Sequence, residues 1–197
     1  VRHREVVAER AREEGAERHF RRQRIAAFDE AAAADPSCGI AHWGAAMTYY
    51  HPLWAPPSAA ELDKGKAAND HAKAAGAKSR RERDYMAALE PFYRDAGKRD
   101  HKTRALAYSA AMGELYWRYP QDHEAGVFYA LSLVAVGTMD DDPTFAKEKR
   151  AAEILNRVLA LNPDHPGVAH YLIHSFDYPP LANLALPAAK RYAGIAP

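Results

Sequence analysis

An all-α fold of about nine helices, arranged as antiparallel pairs in an array, is what this chain predicts, and three observations predict it. The first is a proline-ended signature: a small or apolar residue, a second four on, a third three on, and a Pro five beyond that. Ala151, Leu155, Val158 and Pro163 carry it in full, as do Tyr108, Met112, Leu115 and Pro120, and Ala185, Ala189, Tyr192 and Pro197. Arg24, Phe28, Ala31 and Pro36 carry it except at the first position. The 4-then-3 spacing marks one face of a helix, proline closes the helix, and recurrence of such a face indicates a helical repeat array. The second observation is alanine, about a fifth of the chain, which favours closely packed helices. The third is that no stretch alternates as a strand does: Val127 to Val136 is apolar but lies between helix caps and lacks a period of two.

The elements follow in order. Residues 1–34 read as a long helix whose first 24 residues, rich in Arg and Glu and poor in apolar side chains, form a charged extension; residues 25–197 form the repeat domain. Asp35-Pro36-Ser37 ends that helix, and Cys38 to Tyr50 forms the next. The three prolines in His51–Pro57 remove donors and clash with a helix, so this segment is a loop. Ser58 with Glu61 makes a capping box for a helix running to about Ala75, where Gly76 ends it. Ser79 with Glu82 makes a second box, opening a helix to about Arg94 before the turn Asp95-Ala96-Gly97. Further helices are expected at about 100–119, 122–136, 144–161, 164–176 and 181–193, with an acidic turn, Asp140-Asp141-Asp142-Pro143, ahead of the third of these.

Bulk properties narrow the function classes. At 197 residues, 48% hydrophobic and 27% charged, the chain is globular and long enough for a sizeable core or a short solenoid. A net charge of +1 argues against a dedicated nucleic-acid binder. One cysteine, Cys38, excludes an internal disulfide and an all-cysteine zinc site. No apolar run approaches the roughly 18 residues that span a bilayer, and the N-terminal stretch lacks the apolar segment of a signal peptide. The chain opens on Val, as a processed or trimmed form would. The compartment stays open: cytoplasmic by default, with a mature exported form also compatible.

The intervals between prolines set the register. Pro163 to Pro197 is 34 residues, Pro120 to Pro163 is 43, and Pro36 to Pro120 is 84, two units of about 42 with Ser79 where the middle proline would fall. Four helix pairs follow an initial helix. The stretch AAEILNRVLALNPDHP from Ala151, the junction FDEAAAADPSCGIAHWGAAM, and the 34-residue interval resemble the tetratricopeptide repeat family, over most of residues 25–197. Three units depart from it in their longer intra-repeat loops, and Trp43 and Gly44 sit offset from the family's first-helix Gly-plus-aromatic pattern. The resemblance implies a right-handed α-solenoid whose first helices line a concave groove for a peptide or protein partner; no enzymatic activity follows from it.

Carried over by spacing, the groove positions are Ile40, Trp43, Met47 and Tyr50; Arg83, Met86, Glu90 and Tyr93; Glu124, Val127, Leu131 and Val134; and Gly167, His170, His174 and Asp177. Trp43, Met47, Tyr50, Met86, Glu90, Tyr93, His170 and His174 are the strongest candidates for binding, an adaptable aromatic and Met-rich surface with polar ends. The same stripe also reads as core, since helical apolar spacing is first a burial signal.

His170, His174 and Asp177 form the sharpest local constellation. At i, i+4 and i+7 they share a helix face, and two imidazoles with a carboxylate suit a divalent transition metal, zinc or iron, with His42 or His51 as a further ligand. Hydrogen-bonded histidines at a helix interface are the plainer account, and no cofactor is required by the fold. Trp54, among prolines, reads as a lip over the groove or a plug in the core. Arg21-Arg22-Gln23-Arg24 reads as a solvated charged helix rather than a phosphate site. Asp140–Asp142 lacks the ligand spacing of a calcium loop, and Cys38 reads as packing. Three functions stand at this stage: a peptide- or protein-binding module; a metal carrier or metal-dependent enzyme at the His/His/Asp cluster; and a scaffold, including a homodimer, assembling through its ends. The last is favoured by an open C-terminal end, with no solvating helix after the final pair.

Overall fold

The sequence signals translate into helices in the computed structural model, which describes residue 23, residues 25–53 and residues 55–195. Among the described residues there are nine helices and no strand. They are α1 (25–34), α2 (Gly39–Tyr50), α3 (Ala59–Ala75), α4 (Arg80–Tyr93), α5 (His101–Arg118), α6 (His123–Gly137), α7 (Ala146–Leu161), α8 (Pro166–Ser175) and α9 (Ala182–Ile195). The charged extension, the basic run Arg21–Arg24 apart from Gln23, and Trp54 lie outside the described residues. No described helix is long and apolar enough to cross a membrane.

The caps explain the starts. Ser58 accepts from the Glu61 N–H at 3.3 Å while the Glu61 carboxylate takes the Ser58 N–H at 2.8 Å, the reciprocal box expected from the sequence. Ser79 caps the Glu82 N–H at 3.1 Å, but the returning Glu82 carboxylate takes the N–H of Lys78 instead, at 2.7 Å. Asp100 and Asp122 cap α5 and α6 through the N–H groups of Thr103 and Ala125. α7 starts two residues later than expected. Phe145 takes a left-handed backbone (φ 53°), and the Asp142 carboxylate accepts from both the Thr144 and Ala146 N–H groups, so the acidic turn extends to the helix itself.

The chain divides into two compact units: Val1–His51 with Pro57–Met86, and Pro52–Pro56 with Ala87–Pro197. In the first, α2 and α3 form an antiparallel hairpin. Gly39, opening α2, lies against the Ala72 and Gly76 carbonyls at the end of α3, while His51, past the other end of α2, is 3.9 Å from Glu61. Gly44 lets α1 approach, because a Cβ there would strike the Phe28 ring. Lys78 holds Asp35 at 3.2 Å, tying the α1–α2 turn to the segment after α3.

In the second unit, α6 is the centre. It is apolar on every side and buried from Ala130 through Gly137, as a helix enclosed by neighbours must be. α5 runs antiparallel to it: Ser132 donates to Ser109 at 3.0 Å, and Tyr129 packs on Gly113. α7 runs antiparallel on another side, with Gly126 facing Ile154 and Val158. α8 packs on both α7 and α6. Glu124 and His165, at the starts of α6 and α8, meet at 2.9 Å, so these two alternate helices lie parallel. Val127, Val134, Ile154, Leu155, Val168 and Leu172 make the core, with Ala188 of α9 added to it and Leu53 packed against it.

Candidate functional site

The most chemically loaded feature is on α8. Pro166 sits in the first turn, where its missing N–H costs nothing. His165 is the cap, its Nδ1 accepting from the Val168 N–H at 3.3 Å. That bond places the proton on Nε2, which donates to Glu124. One turn on, His170 and His174 share a face, as an i, i+4 pair does. Their Nε2 atoms are 3.2 Å apart, and the rings meet edge to face at 73°. Tyr192 of α9 lies 5.3 Å from the His170 ring and Tyr171 lies 5.5 Å from it. Burial pushes the His174 pKa down, against the nearby charge of Asp177, so its ring is neutral at neutral pH. The structure thus brings together two members of the expected triad. Asp177 is exposed, and among the described residues no three His, Cys, Asp or Glu side chains are grouped to hold a metal. Of the two suggested additional ligands, His42 stacks edge-on with His71 at 5.9 Å, and His51 is buried beside Glu61.

The aromatic and Met-rich positions have a different fate. Trp43, Tyr50, Met86 and Tyr93 are buried. Trp43 meets Tyr85 edge-on at 5.3 Å, and Tyr93 meets Phe92 at 5.1 Å. Met47 and Glu90 are half-buried, the latter 3.8 Å from Arg94. Val127, Leu131 and Val134 are core, whereas Arg83 and Glu124 are exposed. Large aromatics bury the most apolar area per residue, so packing takes them up first.

The acidic turn is occupied by its own chain. Asp140 is held by Lys102 and Lys147, which bring its carboxyl down to about 2, and Asp142 caps α7. Cys38 is half-buried at the start of α2.

Three polar arrangements escaped the sequence reading. Arg104, buried, donates to the carbonyls of Phe92 at 3.1 Å and Arg99 at 3.2 Å, and lies over the Phe92 ring. It neutralises the free carbonyl end of α4. Glu148, buried, accepts from the Tyr178 hydroxyl at 3.2 Å, and Gly137 leaves the space its carboxylate fills. The sequence places His165 inside a helix from about 164, whereas it caps a helix that starts at Pro166; Pro166 after it was the available sign of a cap at that position. Compared with known proteins, the chain matches no family model, no curated protein and no solved structure.

Proposed function

We propose that this chain is a tetratricopeptide-like binding module, a right-handed α-solenoid whose first helices form a concave face for a peptide or protein segment. The observation that carries the reading is the arrangement of α6, α7 and α8: α6 antiparallel to α7 and parallel to α8, the packing of successive helix pairs in a repeat array. Of the eight residues expected on the face, Met47, Glu90, His170 and His174 keep partial solvent access and are the ones a partner can reach. The buried Trp43, Tyr50, Met86 and Tyr93 shape the surface from beneath.

Peptide display against the immobilised full chain tests this. An enriched peptide should bind about tenfold or more weakly to Met47→Glu or His170→Ala, with an unchanged thermal melt. Failure of any sequence to enrich, or affinity unaffected by both changes, overturns it.

A second reading, assembly of copies through the C-terminal helix, has its own observation: Leu184 and Leu186 of α9 are 55% and 53% exposed. Sedimentation velocity on the full chain and on Leu184→Glu/Leu186→Glu should then show a dimer that the double change dissolves; a monomer at all concentrations ends that reading.

A further inference from the structure

Beyond the binding-module reading, and independent of it, we propose that His170 and His174 form a two-imidazole chelate for one borderline divalent transition-metal ion, with water completing the coordination. The argument is geometric. Zinc holds imidazole nitrogen at about 2.0–2.1 Å, so two imidazoles on one tetrahedral ion place their nitrogens about 3.3 Å apart. The Nε2 atoms of His170 and His174 are 3.2 Å apart on the helix. The separation that a chelate needs is therefore present before any ion arrives, and α8 supplies it through backbone geometry rather than through a flexible loop.

The rings need one adjustment. At 73° to each other, one imidazole N–H points at the other's lone pair, a hydrogen bond. Chelation requires each ring to turn about its Cβ–Cγ bond until both Nε2 lone pairs meet at a shared point, the bridging proton moving through solvent from Nε2 to Nδ1 of the ring that donates it, so that both imidazoles stay neutral. Imidazole donors select ions such as zinc, copper(II) and nickel(II) over magnesium or calcium, which take oxygen.

The chain has 10 histidines, so the test must assign the site as well as detect it. Full-length protein stripped with chelator is titrated with zinc chloride by calorimetry at neutral pH, alongside His170→Gln, His174→Gln and the exposed-histidine control His71→Gln. Wild type and His71→Gln should take up one ion per chain at this site, and each of the first two variants should bind at least about tenfold more weakly. Imidazole nitrogen NMR on the same samples gives a readout that does not depend on how the variants fold: zinc should shift the Nε2 signals of both His170 and His174 in the wild type. Absence of saturable zinc binding, or zinc shifts confined to other histidines, overturns the proposal. So does full affinity in both variants. Because the peptide-display experiment contains no metal, its failure and the failure of this proposal are separate results.

Discussion

A single buried carboxylate shows how much one residue can rest on its neighbours. Glu148 sits in the first turn of α7, fully enclosed, over the glycine that ends α6. Tyr178 donates its hydroxyl to Glu148, and burial together with that carboxylate pushes the tyrosine up to about 12, so it remains a donor throughout the accessible pH range. Phe145 packs on the Tyr178 ring at 4.9 Å and keeps it in place. Tyr178→Phe keeps the ring and removes the hydroxyl, leaving a buried acceptor without that donor. Urea denaturation should show a loss of about 1–3 kcal/mol. A loss within a few tenths would mean that water reaches Glu148. None of this was readable along the chain, because Glu148 lies in a charged run, KEKR, whose look is that of a solvated face.

Among the elements, helix starts were legible and helix surroundings were not. Ser58 and Ser79 cap where the sequence places them, and Asp100 and Asp122 cap the helices expected to open at about those residues, because a cap is a contact over three residues and needs no tertiary context. Ser58→Ala should therefore cost about 1 kcal/mol, read from the shift of the urea midpoint at constant slope. Close approach is the opposite case. A Cβ on Gly39 would meet the carbonyl oxygens of Gly76 and Ala72, rigid backbone atoms that cannot step aside. Gly39→Ala should destabilise by about 1–3 kcal/mol, although alanine is the better helix former. A stabilised variant would show that α2 and α3 part easily. The same distinction governs the aromatic stripe. Its spacing marks one face of a helix, but periodicity cannot say whether a face meets a partner or its own neighbour. Tyr50 and Tyr93 are enclosed by the chain itself.

For the molecule as a whole, charge placement decides how it responds to acid. Asp140, in the loop between α6 and α7, is held by Lys102 of α5 and Lys147 of α7, which depress its carboxyl from 3.8 to about 2. A carboxylate depressed by folding stabilises the native state above its unfolded pKa and loses that contribution as pH falls toward the folded value. The melting temperature should thus decline between roughly pH 5 and pH 2, and Asp140→Asn should lower the neutral-pH value slightly while flattening that decline. An unchanged pH profile in Asp140→Asn would place the acid sensitivity elsewhere, with Asp100 and Asp142, both also held below their ordinary range, as the next residues to change.

The chain alone determined that its described residues form helices and no strand, and roughly where each helix begins. Those properties arise from spacings within three to five residues, where backbone geometry acts before any folding over distance. It also placed His170 and His174 on one face, since i, i+4 is a property of a single helix. Tertiary structure decided the rest: that Trp43, Tyr50, Met86 and Tyr93 are enclosed, that Arg104 and Glu148 are buried with partners distant in sequence, and that Asp177 stands exposed while the two imidazoles meet at 3.2 Å. Burial is a relation between elements, and no periodicity within one element contains the identity of the element packed against it.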